Sequence, residues 1–81
     1  MRARVFVTLK PSVFDPQGTT VGEALHTLGY TSVTDVRQGK YFEIALDGSV
    51  DDSQARNSVD KIAREVLSNP IIEDYRVEIE G

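Results

Sequence analysis

Apolar and polar residues alternate from the first positions of the chain. Ala3, Val5, Val7 and Leu9 interleave with Arg4, Phe6, Thr8 and Lys10. That is the period of a strand with one buried face. Phe6 breaks the pattern, because it falls on the face that should be wet. Pro11 has no amide donor and ends the ladder. The period then changes. Val21, Ala24, Leu25 and Leu28 share one helical stripe. Asp15 can offer a side-chain oxygen to the orphan amides of that helix, and Pro16 suits its first position. Thr20 and Glu23 form a capping-box pair and mark an alternative start. The earlier start is preferred. Gly29 suits the C-terminal stop.

Two strand-like runs follow, at residues 32–38 and 40–46. Gln38-Gly39 between them predicts a tight hairpin, with Gly39 supplying a positive φ. Phe42, Ile44 and Leu46 share one face of the second run, and Tyr41, Glu43 and Ala45 the other. Val33 and Val36 fall on opposite faces unless a bulge intervenes. Asp47-Gly48 makes a turn. Ser49, Asp51 and Asp52 suit a helix start, where anions meet the positive end of the dipole. Ala55, Val59, Ile62 and Val66 then form a stripe that Ala63 and Leu67 widen. Asn69-Pro70 stops this helix, since proline disfavours the α conformation in the residue before it. Tyr75, Val77 and Ile79 alternate with polar residues in a last strand.

The order is β-α-β-β-α-β. It predicts an α+β fold, a four-stranded antiparallel sheet with both helices on one face, in the ferredoxin-like or split βαβ plan. Residues 1–81 make one domain, with no linker. A chain of this size buries roughly 60–65% of its unfolded surface, enough for one small core. Such domains often gain stability by association.

Charge and composition narrow the function. The net charge is −4, which disfavours a generic nucleic-acid binder. There is no cysteine, so thiolate metal sites and disulfides are excluded. No apolar run reaches signal-peptide or membrane-span length. A soluble cytoplasmic domain is the expectation. His26 is the single histidine, so neither a histidine metal pair nor a Ser-His-Asp triad has its parts. Asp47, Asp51 and Asp52 miss the spacing of a calcium loop and read as turn and helix-start residues. Gly39-Lys40 lacks the spacing of a phosphate loop. No catalytic, cofactor or metal residues are assigned.

Three segments at element boundaries are more distinctive. They are Leu9-Lys10-Pro11 running into Asp15-Pro16-Gln17-Gly18, Val36-Arg37-Gln38-Gly39-Lys40, and Asn69-Pro70-Ile71-Ile72-Glu73-Asp74-Tyr75. With Ala24-Leu25-His26-Thr27-Leu28-Gly29, in this order and spacing, they resemble the PurS family over essentially the whole chain. PurS is the small subunit of bacterial and archaeal phosphoribosylformylglycinamidine (FGAM) synthase. The resemblance implies a non-catalytic subunit in purine biosynthesis. It would help join a glutaminase (PurQ-type) to an ATP-dependent synthetase (PurL-type) and aid ammonia transfer. ATP and magnesium would belong to the synthetase.

Lys10, Arg37, Gly39 and Lys40, with Asp15 and Pro16, are the candidate partner surface. Phe6, Tyr41 and Ala45, on the face that helices leave open, are the candidate self-association patch. The same element order also serves small-molecule regulatory modules and RNA-recognition modules. The RNA reading needs basic neighbours around aligned aromatics, which an acidic chain lacks.

Overall fold

The computed structural model describes residues 1–80. Its elements run β1 (Arg2–Leu9), α1 (Pro16–Thr27), β2 (Gly39–Ala45), α2 (Asp52–Ile62) and β3 (Glu73–Glu80). The sheet is antiparallel, with β1 in the centre between β2 and β3. Val5 pairs with Phe42 on one side and with Val77 on the other. The alternation read from β1 decides what is inside: Ala3, Val5 and Val7 are fully buried.

α2 covers that face. Asp51 accepts from Gln54 N at 2.8 Å, and the Gln54 side chain reaches back to the Asp51 amide, closing a capping box. Ala55, Val59 and Ala63 are fully buried against the strands. Three alanines and three valines make a thin core. Larger residues such as Phe42, Ile44, Leu67 and Tyr75 only partly close around it. The Tyr75 hydroxyl donates to Asp60 Oδ1 at 3.0 Å and ties α2 to β3. Desolvation first, and that carboxylate second, push the phenol above its ordinary pKa.

α2 ends in a wider π turn, Ala63–Leu67, whose Ala63 carbonyl accepts from both Ser68 N at 2.9 Å and Ser68 Oγ at 2.7 Å. Each residue of a π turn advances less around the axis than in an α-helix. Leu67 therefore rotates into the stripe and Val66 out of it. Val66, expected at the core, is 74% exposed.

Two expectations about the sheet are corrected. The sheet has three strands, not four. Residues 33–38 run into β2 without turn or bend and pair with no strand. The predicted hairpin at Gln38-Gly39 does not form. Gly29, at φ 100°, is the one positive-φ residue among those described, so Gly39 makes no left-handed turn. Side-chain bonds instead hold 37–38 in line with β2, because Asp15 takes the Gln38 amide and Arg37 grips carbonyls near the end of β1.

The helices do not share the sheet. α1 lies against the unpaired 33–38 segment: the His26 Nε2 donates to the Val33 carbonyl at 2.6 Å, and Gly18 and Gly22 face Val36. The apolar stripe of α1 is left largely bare, with Val21 41% and Leu28 74% exposed. Its ends are as expected. Asp15 caps the start, Pro16 follows, and Gly29 and Tyr30 close a Schellman motif by donating to the His26 and Leu25 carbonyls.

The result is elongated. The radius of gyration is 16.1 Å, against about 12 Å for a compact chain of this length.

Core position should therefore separate two valines of one helix. Val59→Ala should destabilise by about 2–3 kcal/mol, two methyl groups plus the space they leave. Val66→Ala should stay within about 0.5 kcal/mol. Urea unfolding followed by circular dichroism checks both.

Candidate partner-docking rim

The three boundary segments meet at one end of the sheet. β1 ends there, α1 and β2 begin there, and the turn before β3 closes it. Lys10 N donates to the Ile72 carbonyl at 2.8 Å, joining the first segment to the third. Arg37 joins the first to the second. One of its guanidinium nitrogens donates to the carbonyls of Lys10 at 3.0 Å and Val13 at 2.9 Å. Lys40 reaches across β1 to Glu73, Nζ to Oε2 at 3.6 Å. Glu73 in turn accepts from Asn69 N at 2.7 Å. Asn69 shapes its own turn, taking the Ile71 amide on its side chain at 3.1 Å and the Ile72 and Glu73 amides on its carbonyl.

Asp15 is the single buried polar side chain among those described. One carboxylate oxygen accepts from Gly18 N at 2.9 Å, and the other from Gln38 N at 2.7 Å. The Gln38 amide first, then Gly18 and the nearby Arg37 charge, hold this carboxyl below its ordinary pKa against the opposing cost of burial. Two glycines are fixed by space. A Cβ on Gly18 would strike the Val36 carbonyl oxygen, and one on Gly39 would strike the Val7 carbonyl oxygen. Gly39 is thus needed for close approach to β1, not for a turn.

The six candidate partner residues therefore divide. Asp15, Arg37 and Gly39 build the frame, and their contacts are internal. Lys40 is exposed but tethered to Glu73. Pro16 stands exposed at the first turn of α1. Lys10 is half-buried, with no ion pair among the described residues.

Sequence reasoning missed the apolar members. Phe14 is 71% exposed and Ile71 82% exposed, both on this rim. The available signal was bulky apolar side chains inside loop segments, where polar residues are the rule. A cleft of about 180 Å³ between the starts of α1 and β3 is lined by Asp15, Gln38, Lys40 and Glu73. Its charged groups already have partners within the chain.

The opposite face of the sheet carries Phe6, Tyr41 and Ala45. Phe6 and Tyr41 pack at 5.1 Å between ring centroids, tilted by 35°, and the Arg76 guanidinium stacks 4.5 Å over Phe6. Ala45 lies apart, paired with Arg2 at the far end of the strands. Ion pairs lace the rest, including Arg4–Glu80 at 2.7 Å and Arg2–Glu43 at 3.8 Å. The Tyr41 hydroxyl donates to Glu43 at 2.8 Å, a bond that raises the phenol pKa. This face is more charged than the expected apolar patch.

Among the described residues no cluster of His, Cys, Asp or Glu could hold a metal ion, and no helix is long and apolar enough to cross a membrane.

The Asp15 frame has a pH signature. Its native pKa lies below its unfolded value, so its stabilisation is complete above about pH 4 and is lost as pH falls through the lowered native value. Asp15→Asn, which keeps one acceptor oxygen, should melt roughly 4–8 °C below wild type at pH 7. The gap should shrink as pH falls from about 4, where the unfolded chain takes up the proton first, and close once the native carboxyl protonates at its lowered value. Thermal melts at pH 7 and pH 2.5 check it.

Comparison with known proteins places the chain in a family. The family model described as PurS, phosphoribosylformylglycinamidine (FGAM) synthase, matches residues 2–81. A Bacillus subtilis relative described as phosphoribosylformylglycinamidine synthase subunit PurS is 44% identical over 79 residues, covering 98% of this chain and 92% of the relative. A Mycobacterium leprae relative of the same description is 45% identical over 76 residues, covering 94% of this chain and 91% of its own. The crystal structure of B. subtilis PurS superposes with a TM-score of 0.85 at 44% identity, over 99% of this chain and 98% of that one. A chain of PurLQS from Thermotoga maritima superposes with a TM-score of 0.85 at 27% identity, over 95% of this chain and 93% of that one.

Proposed function

The chain belongs to the PurS family of FGAM synthase subunits, and we propose that its docking surface in that enzyme is the rim at the end of the sheet. It is a subunit of a glutamine-dependent synthase and works beside synthetase and glutaminase subunits, as the PurLQS assembly of its structural relative indicates. A cytoplasmic location fits that role in purine biosynthesis.

The observation that carries the assignment of the surface is the knitting of three distant segments into one rigid edge. Lys10, Arg37 and Asp15 hold backbone across the three segments. Loops fixed on a sheet in this way keep one shape, so little ordering entropy is lost on docking. Phe14 and Ile71 are the apolar anchors such a surface needs at its centre. Pro16, Lys10 and Lys40 form its polar margin, which steers association and weakens with salt. The role in the reaction follows from the chemistry of the transferred group. Ammonia released into neutral water protonates and stops being a nucleophile. A subunit that holds glutaminase and synthetase together shortens that exposure without supplying a catalytic group.

Phe14→Asp combined with Ile71→Asp should leave folding unchanged, since both side chains are exposed. In the reconstituted three-subunit enzyme the pair should lower glutamine-driven synthesis about tenfold or more, since the loss of even one interface anchor has an effect of that size. Synthesis driven by added ammonium should fall less, because it needs no delivery from the glutaminase. Equal loss of both activities would place the rim on the synthetase site itself. No loss of either would assign it to solvent.

A further inference from the structure

Phe14 follows a turn that a distant part of the chain holds shut. Residues 10–13 form that turn, in which Val13 N donates to the Lys10 carbonyl at 2.9 Å. Pro11 occupies its second position, where a fixed φ suits the geometry. Lys10 N ties the turn to the start of β3 by donating to the Ile72 carbonyl at 2.8 Å. Arg37 reaches it from the extended, unpaired arm of residues 33–38. Its Nη2 carries two hydrogens and donates to the carbonyls at both ends of the turn, Lys10 at 3.0 Å and Val13 at 2.9 Å. Arg37 forms no ion pair among the described residues.

On the other side of Phe14, Asp15 is buried and accepts from Gly18 N and Gln38 N. The residues flanking Phe14 are therefore both pinned, and both clamps reach the adjacent arm positions 37 and 38. Between these fixed points the Phe14 ring stands 71% exposed. A large aromatic left in water on a backbone held at both sides is a preformed anchor, because no loop has to be ordered when it docks.

We propose that Arg37 is a positioning residue for the synthase reaction: by bridging the Lys10 and Val13 carbonyls it fixes the backbone that presents Phe14, and so sets how tightly this subunit engages its partner subunits. This rests on the docking role proposed for the rim. The guanidinium then acts through the chain's own carbonyls rather than by offering its charge to a partner. Charge alone would steer association, and lysine could replace it. Lysine has a compact ammonium on a shorter stem, so it does not reproduce one planar nitrogen set between two carbonyls.

Titration of the full-length chain into fixed synthetase and glutaminase, read as glutamine-driven synthesis, tests this together with NMR exchange of the Val13 amide. Arg37→Gln should raise the half-saturating concentration about tenfold, and an excess of the variant should restore the rate. Its Val13 amide should exchange about tenfold faster than in wild type, with the fold intact by circular dichroism. Phe14→Ala should raise the half-saturating concentration about tenfold as well. The double variant should stay near the same value, because both changes disable one anchor. Independent effects would multiply to about a hundredfold and overturn the proposal. Arg37→Lys should lose affinity in step with the protection of its Val13 amide. Wild-type affinity with that amide unprotected would mean that the partner reads the charge, and would overturn the proposal too. Full affinity in Arg37→Gln with Phe14→Ala impaired overturns it while leaving the docking role of the rim in place. No loss in either variant sinks both.

Discussion

Asp15 has two carboxylate oxygens and gives one to each half of the structure. One caps α1 through Gly18 N, and the other holds Gln38 N, 23 residues away. The bond to Gln38 fixes the direction in which the chain enters β2, and so prevents the reversal that a hairpin would need. It also presses α1 so close to the arm that no side chain fits at Gly18. Buried negative charge is costly without such donors. Here both oxygens are satisfied, and Arg37 stands nearby to grip the same loop. The position of α1, the line of the arm and the shape of the rim all depend on this one carboxylate.

A second constraint is the size of the core. Among the described residues the apolar side chains that are fully buried are all alanine or valine. Small side chains let α2 lie close to the strands, but they remove little apolar surface from water. A domain of this kind has little stability to spare, and its larger apolar residues sit at the margins, where another surface can finish the work. The rim and the arm are two such margins with different chemistry. The rim is short, polar-framed and rigid, with a few apolar anchors. The extended segment 33–38 is unpaired and rich in β-branched side chains.

A small subunit of a synthase can govern a reaction by fixing where other subunits stand.

Much of this was legible in the sequence. Strand alternation at Ala3, Val5 and Val7, the capping role of Asp15, the helix start around Asp51, the stop at Gly29 and the three boundary segments are local properties. Their signals lie within a few residues, where sterics and hydrogen-bond valence act directly. The family was legible for the same reason, since its motifs are those boundary residues. What the sequence could not decide was where pieces of correct local structure go. Residues 33–38 have the composition of a strand, and they are extended, but pairing needs a neighbour, and only tertiary structure shows that the chain offers none. The stripe on α1 is apolar, yet nothing in its period says which sheet it covers. Val66 left the core because one π turn shifted the helical phase. The local pattern at Arg37 and Gly39 is that of an exposed turn. Long-range bonds to Lys10, Val13 and Val7 made them the frame instead. Local pattern determined the elements, and contacts between distant residues decided their arrangement.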